Sequence, residues 1–266
     1  LFKMAFIDKR DLVQFHDEIA EKYDSILSKN RFSEVLRPVF QNILMQNIHH
    51  GDYILDLGCG TGEDAIFLAQ KGVNVTGVDI SPKMIEIAGK KADTKDFNKN
   101  LQFFCDDMEI FISENTNKFD AIISNFNAVN YIRDLNSFSA HVSTALNKDG
   151  KLIFTVLNKI SASEVFYNFV RLNLKRSWKA IFNRKELLLT DLNIFFPGLF
   201  SNFFKNHFYI KRITGIGIFI PPHNLTGMYD KLSFVLPLLL RLEKLTASVF
   251  PFYCLSDHYI IEMQKK

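Results

Sequence analysis

The run Asp56-Leu57-Gly58-Cys59-Gly60-Thr61-Gly62 sets three glycines two apart between a strand signal and a helix signal, and few features restrict a fold as tightly. Tyr53-Ile54-Leu55 reads as a buried strand, and Ala65-Ile66-Phe67-Leu68-Ala69 has the spacing of a packed helical face. Gly58 and Gly60 let the backbone approach a ligand that a Cβ would hold off, and the helix beginning after Gly62 presents unpaired N–H groups. This geometry suits a carboxylate or a phosphate, so the loop predicts a nucleotide-like ligand. A dinucleotide fingerprint would place its third glycine at position 63, which is Glu63 here, an acid that repels a pyrophosphate. Nothing ends in the Gly-Lys-Ser/Thr of a Walker loop.

The following elements arrive in alternating order. Val73 to Asp79 alternates as a second strand ending in an acid, and Ser81-Pro82 reads as an N-cap with proline at the first helical position. Leu101 to Cys105, closed by Asp106-Asp107-Met108, forms a third strand, and Phe119 to Phe126 a fourth. Leu146 to Val156 supplies helix end, turn and fifth strand. Five strands alternating with helices predict an α/β, doubly wound parallel sheet whose ligands bind beyond the carboxyl ends of the strands.

With Asp56 closing the first strand, the pattern Asp-x-Gly-x-Gly-x-Gly and its sequels resemble the class I S-adenosylmethionine-dependent methyltransferases of small-molecule type. The resemblance is strong over about the first 155 residues and weak beyond. It implies a Rossmann-like, seven-stranded, mostly parallel sheet, with a sixth strand from Phe208 to Phe219 and an antiparallel seventh from His258 to Met263. Within a single domain, 1–266, residues 1–50 would form an N-terminal helical lid and 51–158 the cofactor core. Residues 159–207 and 221–256 would be insertions after the fifth and sixth strands, and 208–220 and 257–266 the final strands.

The resemblance also implies roles. Asp56, Gly58, Cys59, Gly60 and Gly62 would cradle S-adenosyl-L-methionine, with Cys59 a small residue between two glycines. Asp79 would accept both ribose hydroxyls, Ile80 and Met84 would flank the adenine, Asp107 would accept from its amino group, and Met108 would offer a backbone N–H. Asn125 would complete the cofactor set. Tyr23, in the helical stripe Phe15 to Asp24, would lie over the cofactor as part of the lid. Asn127, Tyr131 and Asn158 would face the substrate.

Because a parallel strand ends on the cofactor side and an antiparallel one begins there, Pro221-Pro222-His223 and Asp257-His258 should meet near Asn125, Asn127 and Asn158. Methyl transfer needs alignment and water exclusion, and it needs a base only for a protonated nucleophile. His223 or His258 would be that base, with Asp257 orienting it. His16, His141, His207 and the His49-His50 pair read as lying away from this edge, and no metal site is expected. Arg37 reads as a solvated helix-end charge, with the methionine carboxylate as the alternative partner.

Residues 160–207 and 221–256 are rich in aromatics, which favours a small, largely apolar substrate, aromatic, isoprenoid or acyl-bearing, methylated on O, N or C. From Lys159 to Arg212 ten basic residues stand against three acids. A solvated face is the plain explanation, and contact with a membrane surface or with RNA is the functional one. The overall charge of +3 argues against a nucleic-acid partner, leaving an RNA methyltransferase as the runner-up. A nicotinamide-dependent oxidoreductase and a non-catalytic cofactor binder are the remaining rivals. Three cysteines without metal spacing, Cys59, Cys105 and Cys254, predict a reduced, cytoplasmic protein.

Overall fold

The computed structural model describes residues 9–93, 100–187, 192–225 and 227–266. Its strands are β1 (Tyr53–Leu57), β2 (Asn74–Asp79), β3 (Leu101–Cys105), β4 (Phe119–Ser124), β5 (Leu146–Leu157), β6 (Phe208–Ile216) and β7 (His258–Lys265). They form one seven-stranded sheet in the order β3-β2-β1-β4-β5-β7-β6. Strands β1 to β5 pair in parallel, whereas β7 runs antiparallel to both β5 and β6. The order reverses at β1, so the loops after β1 and β4 flank the crevice where such sheets bind ligands.

The helices are α1 (Lys9–Lys29), α2 (Arg31–Asn47), α3 (Glu63–Ala69), α4 (Pro82–Asp93), α5 (Met108–Glu114), α6 (Leu135–Ala145), α7 (Ala162–Val170), α8 (Leu174–Phe182), α9 (Pro197–Phe204), α10 (Met228–Lys231) and α11 (Leu236–Thr246). Strand alternation divides the core between the two faces of the sheet. Ile54, Ile123 and Ile153 pack with Phe32, Leu36 and Phe40 of α2 and Ile66 and Leu68 of α3. Their neighbours Leu55, Ile122 and Phe154 pack on the other face with Phe138 and Val142 of α6 and Phe200 and Phe204 of α9. Asn30 caps α2, Asp107 caps α5 and Asp134 caps α6, each accepting two backbone N–H groups of the first turn.

The sixth strand stops at Ile216 rather than Phe219. Gly217 turns into left-handed backbone at φ 83°, and the Glu243 carboxylate of α11 accepts the N–H groups of Gly217, Ile218 and Phe219. Those donors are therefore unavailable to a strand ladder. The buried carboxyl has a raised pKa because desolvation outweighs these bonds.

Candidate active site

The glycine loop has the backbone its composition demands: Gly58, Gly60 and Gly62 lie at φ 72°, 54° and 78°. Gly58 makes room for protein as well as for a ligand, since a Cβ there would sit 2.3 Å from that of Ala128 in the loop after β4. The Asp79 carboxylate at the end of β2 reaches across, accepting the Gly60 N–H at 2.8 Å and the Ser81 N–H at 2.9 Å. Burial raises its pKa against those two bonds. Asp56 is buried beneath the loop, and desolvation, then Asp64 and Asp79, push its carboxyl well above the usual range. Burial pushes the Cys59 thiol pKa well up.

A pocket opens beyond β1, β2 and β3, lined by Gly58, Asp79, Ile80, Asp107, Met108 and Tyr131. Tyr131, expected on the substrate side, lines the same pocket as Gly58 and Asp79. Met84 does not reach this pocket; it is buried in α4, because the helix turns its first apolar residue toward the core. Asp107 spends Oδ1 on the first turn of α5 and places Oδ2 at 2.5 Å from Lys9.

Helix α1 lies over the loop and is tied down on both sides. Asp17 accepts from the Ser81 hydroxyl at 2.5 Å, and Asp24 accepts from the Thr61 hydroxyl at 2.5 Å while pairing with Lys91. Tyr23 comes within 3.6 Å of where a Gly60 Cβ would be. Desolvation and then Asp79 raise its phenol pKa. His16 corrects the sequence expectation, because it stands edge-to-face with Tyr131 and close enough to Asp79 to feel its charge. Burial nevertheless lowers its pKa. Glu63 pairs with Lys91 at 2.6 Å, so its charge is partly compensated and the glycine spacing is the better discriminator against a dinucleotide loop.

Two other assigned residues are held by protein. The Asn125 side chain donates to Asp64 and accepts from Thr155 and from the Phe126 N–H. Asn158 is fully buried and donates to the carbonyls of Tyr253 and Cys254. Both sit beneath the site because a short amide at a strand end satisfies loop backbone that has no ladder partner. Arg37 is not a solvated charge. Its guanidinium stands 4.8 Å over the Phe126 ring, with Nε 3.8 Å from Asp64, and Nε is buried without a hydrogen-bond partner.

The sheet brings Asp257 and the two histidines together. Asp257 Oδ2 lies 2.7 Å from His223 Nδ1 and 2.9 Å from His258 Nδ1. An ionised carboxylate only accepts, so both imidazoles carry their proton at Nδ1. His258 Nε2 accepts from the Asn127 amide at 2.8 Å. His223 is about a third exposed, and among the described residues nothing pairs with its Nε2. The Asn127 Oδ1 is buried and unpartnered. Phe32 packs on both rings, with centroids 5.0 Å from His258 and 6.2 Å from His223. The segment carrying Asn127 continues to Ala128 against Gly58, so the histidine centre and the glycine loop share one wall.

Behind Asp257 lies a buried ion pair that sequence reading missed. Arg184, fully buried, donates to Asp257 Oδ1 and to Glu164 Oε2, the latter at 2.8 Å, and also to the Asn158 carbonyl. Glu164 also accepts from Asn224 at 2.6 Å. Burial alone would raise the Asp257 pKa, but Arg184 and the two imidazoles hold it well below the usual carboxylate range. Desolvation lowers the His258 pKa, and the Asn127 amide N–H donated to its Nε2 suits a neutral imidazole. His223, Asp257 and His258 could offer three ligand atoms to a cation. Their spacings are hydrogen-bond lengths and Arg184 holds the other carboxylate oxygen, so the cluster is satisfied as it stands.

A methyltransferase-domain family model matches residues 48–188. An uncharacterised protein of Methanocaldococcus jannaschii is 32% identical over 67% of this chain, and a ubiquinone biosynthesis O-methyltransferase of Coxiella burnetii is 31% identical over 58%. Each alignment spans 64% of the relative's length. Among solved structures, the [4+2]-cyclase SpnF superposes with a TM-score of 0.65 over 97% of this chain and 96% of its own, at 14% identity. That likeness concerns the fold, which hosts more than one chemistry. With the family match covering more than half its length and the seven-stranded sheet in place, the chain belongs to the class I S-adenosylmethionine-dependent methyltransferases.

Proposed function

We propose that this protein transfers the methyl group of S-adenosyl-L-methionine to a hydroxyl of a small, largely apolar molecule, with His223 taking the hydroxyl proton at Nε2. The observation that carries this reading is the Asp257 carboxylate shared by two imidazoles, of which His223 alone keeps an unpaired Nε2. Asp257 fixes the His223 tautomer and stabilises the imidazolium, as an acid behind a base does. His258, neutral and bonded at both nitrogens, acts as a positioning residue.

The cofactor site fits its group by an independent sign. Arg37 Nε and Asn127 Oδ1 are two of the three buried side-chain polar atoms left unpartnered among the described residues. A cation stacked beside the glycine loop suits the methionine carboxylate, and an orphan acceptor suits an ammonium or a hydroxyl. Asp79 would exchange its loop N–H contacts for ribose hydroxyls, and Ile80 and Met108 would sandwich the adenine. The sulfonium supplies an already activated methyl. The chain's own work is to align the acceptor oxygen, exclude water under α1, and take one proton.

The test supplies methyl-labelled cofactor and extract of the source organism, followed by identification of the labelled product. An O-methyl ether is expected, with His223→Ala slowing its formation by about 10²–10⁴-fold. Label on nitrogen or carbon, or an unimpaired His223→Ala, would overturn the base assignment. Tight NAD binding without S-adenosylhomocysteine binding would overturn the cofactor.

A further inference from the structure

The insertion between β5 and β6 is built inside out at its tip. Helix α8 turns its small residues Ser177 and Ala180 inward, and Ser177 donates to the Val165 carbonyl of α7 at 3.1 Å. Its large residues face solvent: Trp178 is 66% exposed and Phe182 65%, their rings 4.4 Å apart. Phe166 and Phe169 of α7 are exposed as well, and an open apolar groove runs between the two helices. At the turn, Leu172 is held at φ 57° with 86% of its surface exposed. Left-handed backbone costs a leucine about 1–2 kcal/mol, with no internal packing in return.

Charge accompanies the apolar surface. Arg171, Lys175 and Arg176 are exposed around the same turn, whereas Arg184, also in this basic stretch, is buried on Glu164 and Asp257 and does not contribute. Lys179 pairs with Glu186, the one acid from 171 to 187. Aromatic side chains interleaved with exposed bases are the composition of a helix lying at a lipid interface, with rings in the acyl boundary and bases on anionic headgroups. Among the described residues no helix is long and apolar enough to cross a membrane. A surface-lying contact is the one available to this hairpin.

We infer that the α7–α8 hairpin docks on an anionic lipid bilayer, with Leu172, Trp178 and Phe182 entering the interface and Arg171, Lys175 and Arg176 contacting headgroups. The occupant is a membrane surface rather than a protein because the apolar residues are ringed by one sign of charge, which negative headgroups complement. Glu164, at the root of the same hairpin, joins through Arg184 to Asp257 of the histidine centre, so docking would set that centre close to molecules dissolved in the bilayer.

Flotation with phosphatidylcholine vesicles, with and without phosphatidylglycerol, tests this on the full chain. Binding should require phosphatidylglycerol and weaken as salt rises. Lys175→Glu with Arg176→Glu should lower it by about tenfold or more. Leu172→Asp with Trp178→Ser should abolish it while S-adenosylhomocysteine binding stays unchanged and the protein still unfolds cooperatively, since both side chains are mostly exposed and lie far from the glycine loop in sequence. Failure of the parent protein to float with anionic vesicles would overturn the inference, as would undiminished flotation of either double variant. A dimer that dissociates in the Leu172→Asp/Trp178→Ser protein, without flotation of the parent, would assign the face to a second copy instead. Vesicle binding and methyl transfer are read separately, so loss of one leaves the other standing.

Discussion

At the scale of residues, one oxygen of Asp257 serves two imidazoles, and the difference between them is what each Nε2 meets. His258 is closed by Asn127 and lies among buried residues, while His223 opens outward. This asymmetry predicts distinct phenotypes. His223→Ala should lower kcat with little change in the affinity for S-adenosylhomocysteine. His258→Gln should alter the pH dependence of stability. Desolvation depresses the folded-state pKa of His258, so below its unfolded value of about 6.5 the unfolded chain binds the proton more readily and stability falls with falling pH, by up to about 1.4 kcal/mol per pH unit. The denaturant midpoint of the parent should therefore drop more between pH 7 and pH 5.5 than that of His258→Gln; parallel curves would refute the neutral assignment. At the cofactor, Asp79→Ala removes a charged acceptor, and calorimetry with S-adenosylhomocysteine should show about 10²-fold weaker binding, at about 1.5–3 kcal/mol per lost charge-assisted bond. Unchanged affinity would refute its ribose role.

At the scale of elements, the α7–α8 insertion is fastened to the sheet by charge as well as by packing. Arg184 stands between Glu164 and Asp257 with all three fully buried. Removing one partner of such a network leaves uncompensated charge, so Arg184→Met should cost about 3–5 kcal/mol in urea unfolding. A loss under about 1 kcal/mol would mean that water reaches the site. The same element shows what a linear reading can and cannot reach. The convergence of His223 with Asp257-His258 follows from strand direction, which hydrophobic alternation reveals. Arg184 and Glu164 have no such signature, because in sequence they look like charges of a basic, solvated helix face, and only the assembled fold shows that both are desolvated. His16 escaped for a related reason: α1 belongs to no strand, so no topological rule places it over Asp79. Arg37 and Asn125 were visible as residues, but their surroundings depend on α2 and α3 packing together.

At the scale of the whole molecule, the glycine loop, the strand-end acids and the β-α alternation are local and periodic, and the sheet they describe is the one observed. The reach of β7 is not local. It enters between β5 and β6, pairs from Lys151 to Leu157 on one side and from Phe208 to Ile216 on the other, and carries Asp257 and His258 to the site at its start. Tyr259, Ile260, Ile261 and Met263 are buried within it. At roughly 1.5–3 kcal/mol for each buried side chain, these four account for about 6–12 kcal/mol, comparable to the whole net stability of an ordinary domain. Deleting residues 257–266 should therefore unfold the protein rather than merely inactivate it, since two strand edges would also lose their partners. Urea unfolding followed by circular dichroism, together with limited proteolysis, decides the matter. A truncated chain that still unfolds cooperatively and resists protease would show that β1 to β5 form a self-sufficient unit, with the final hairpin serving the site alone.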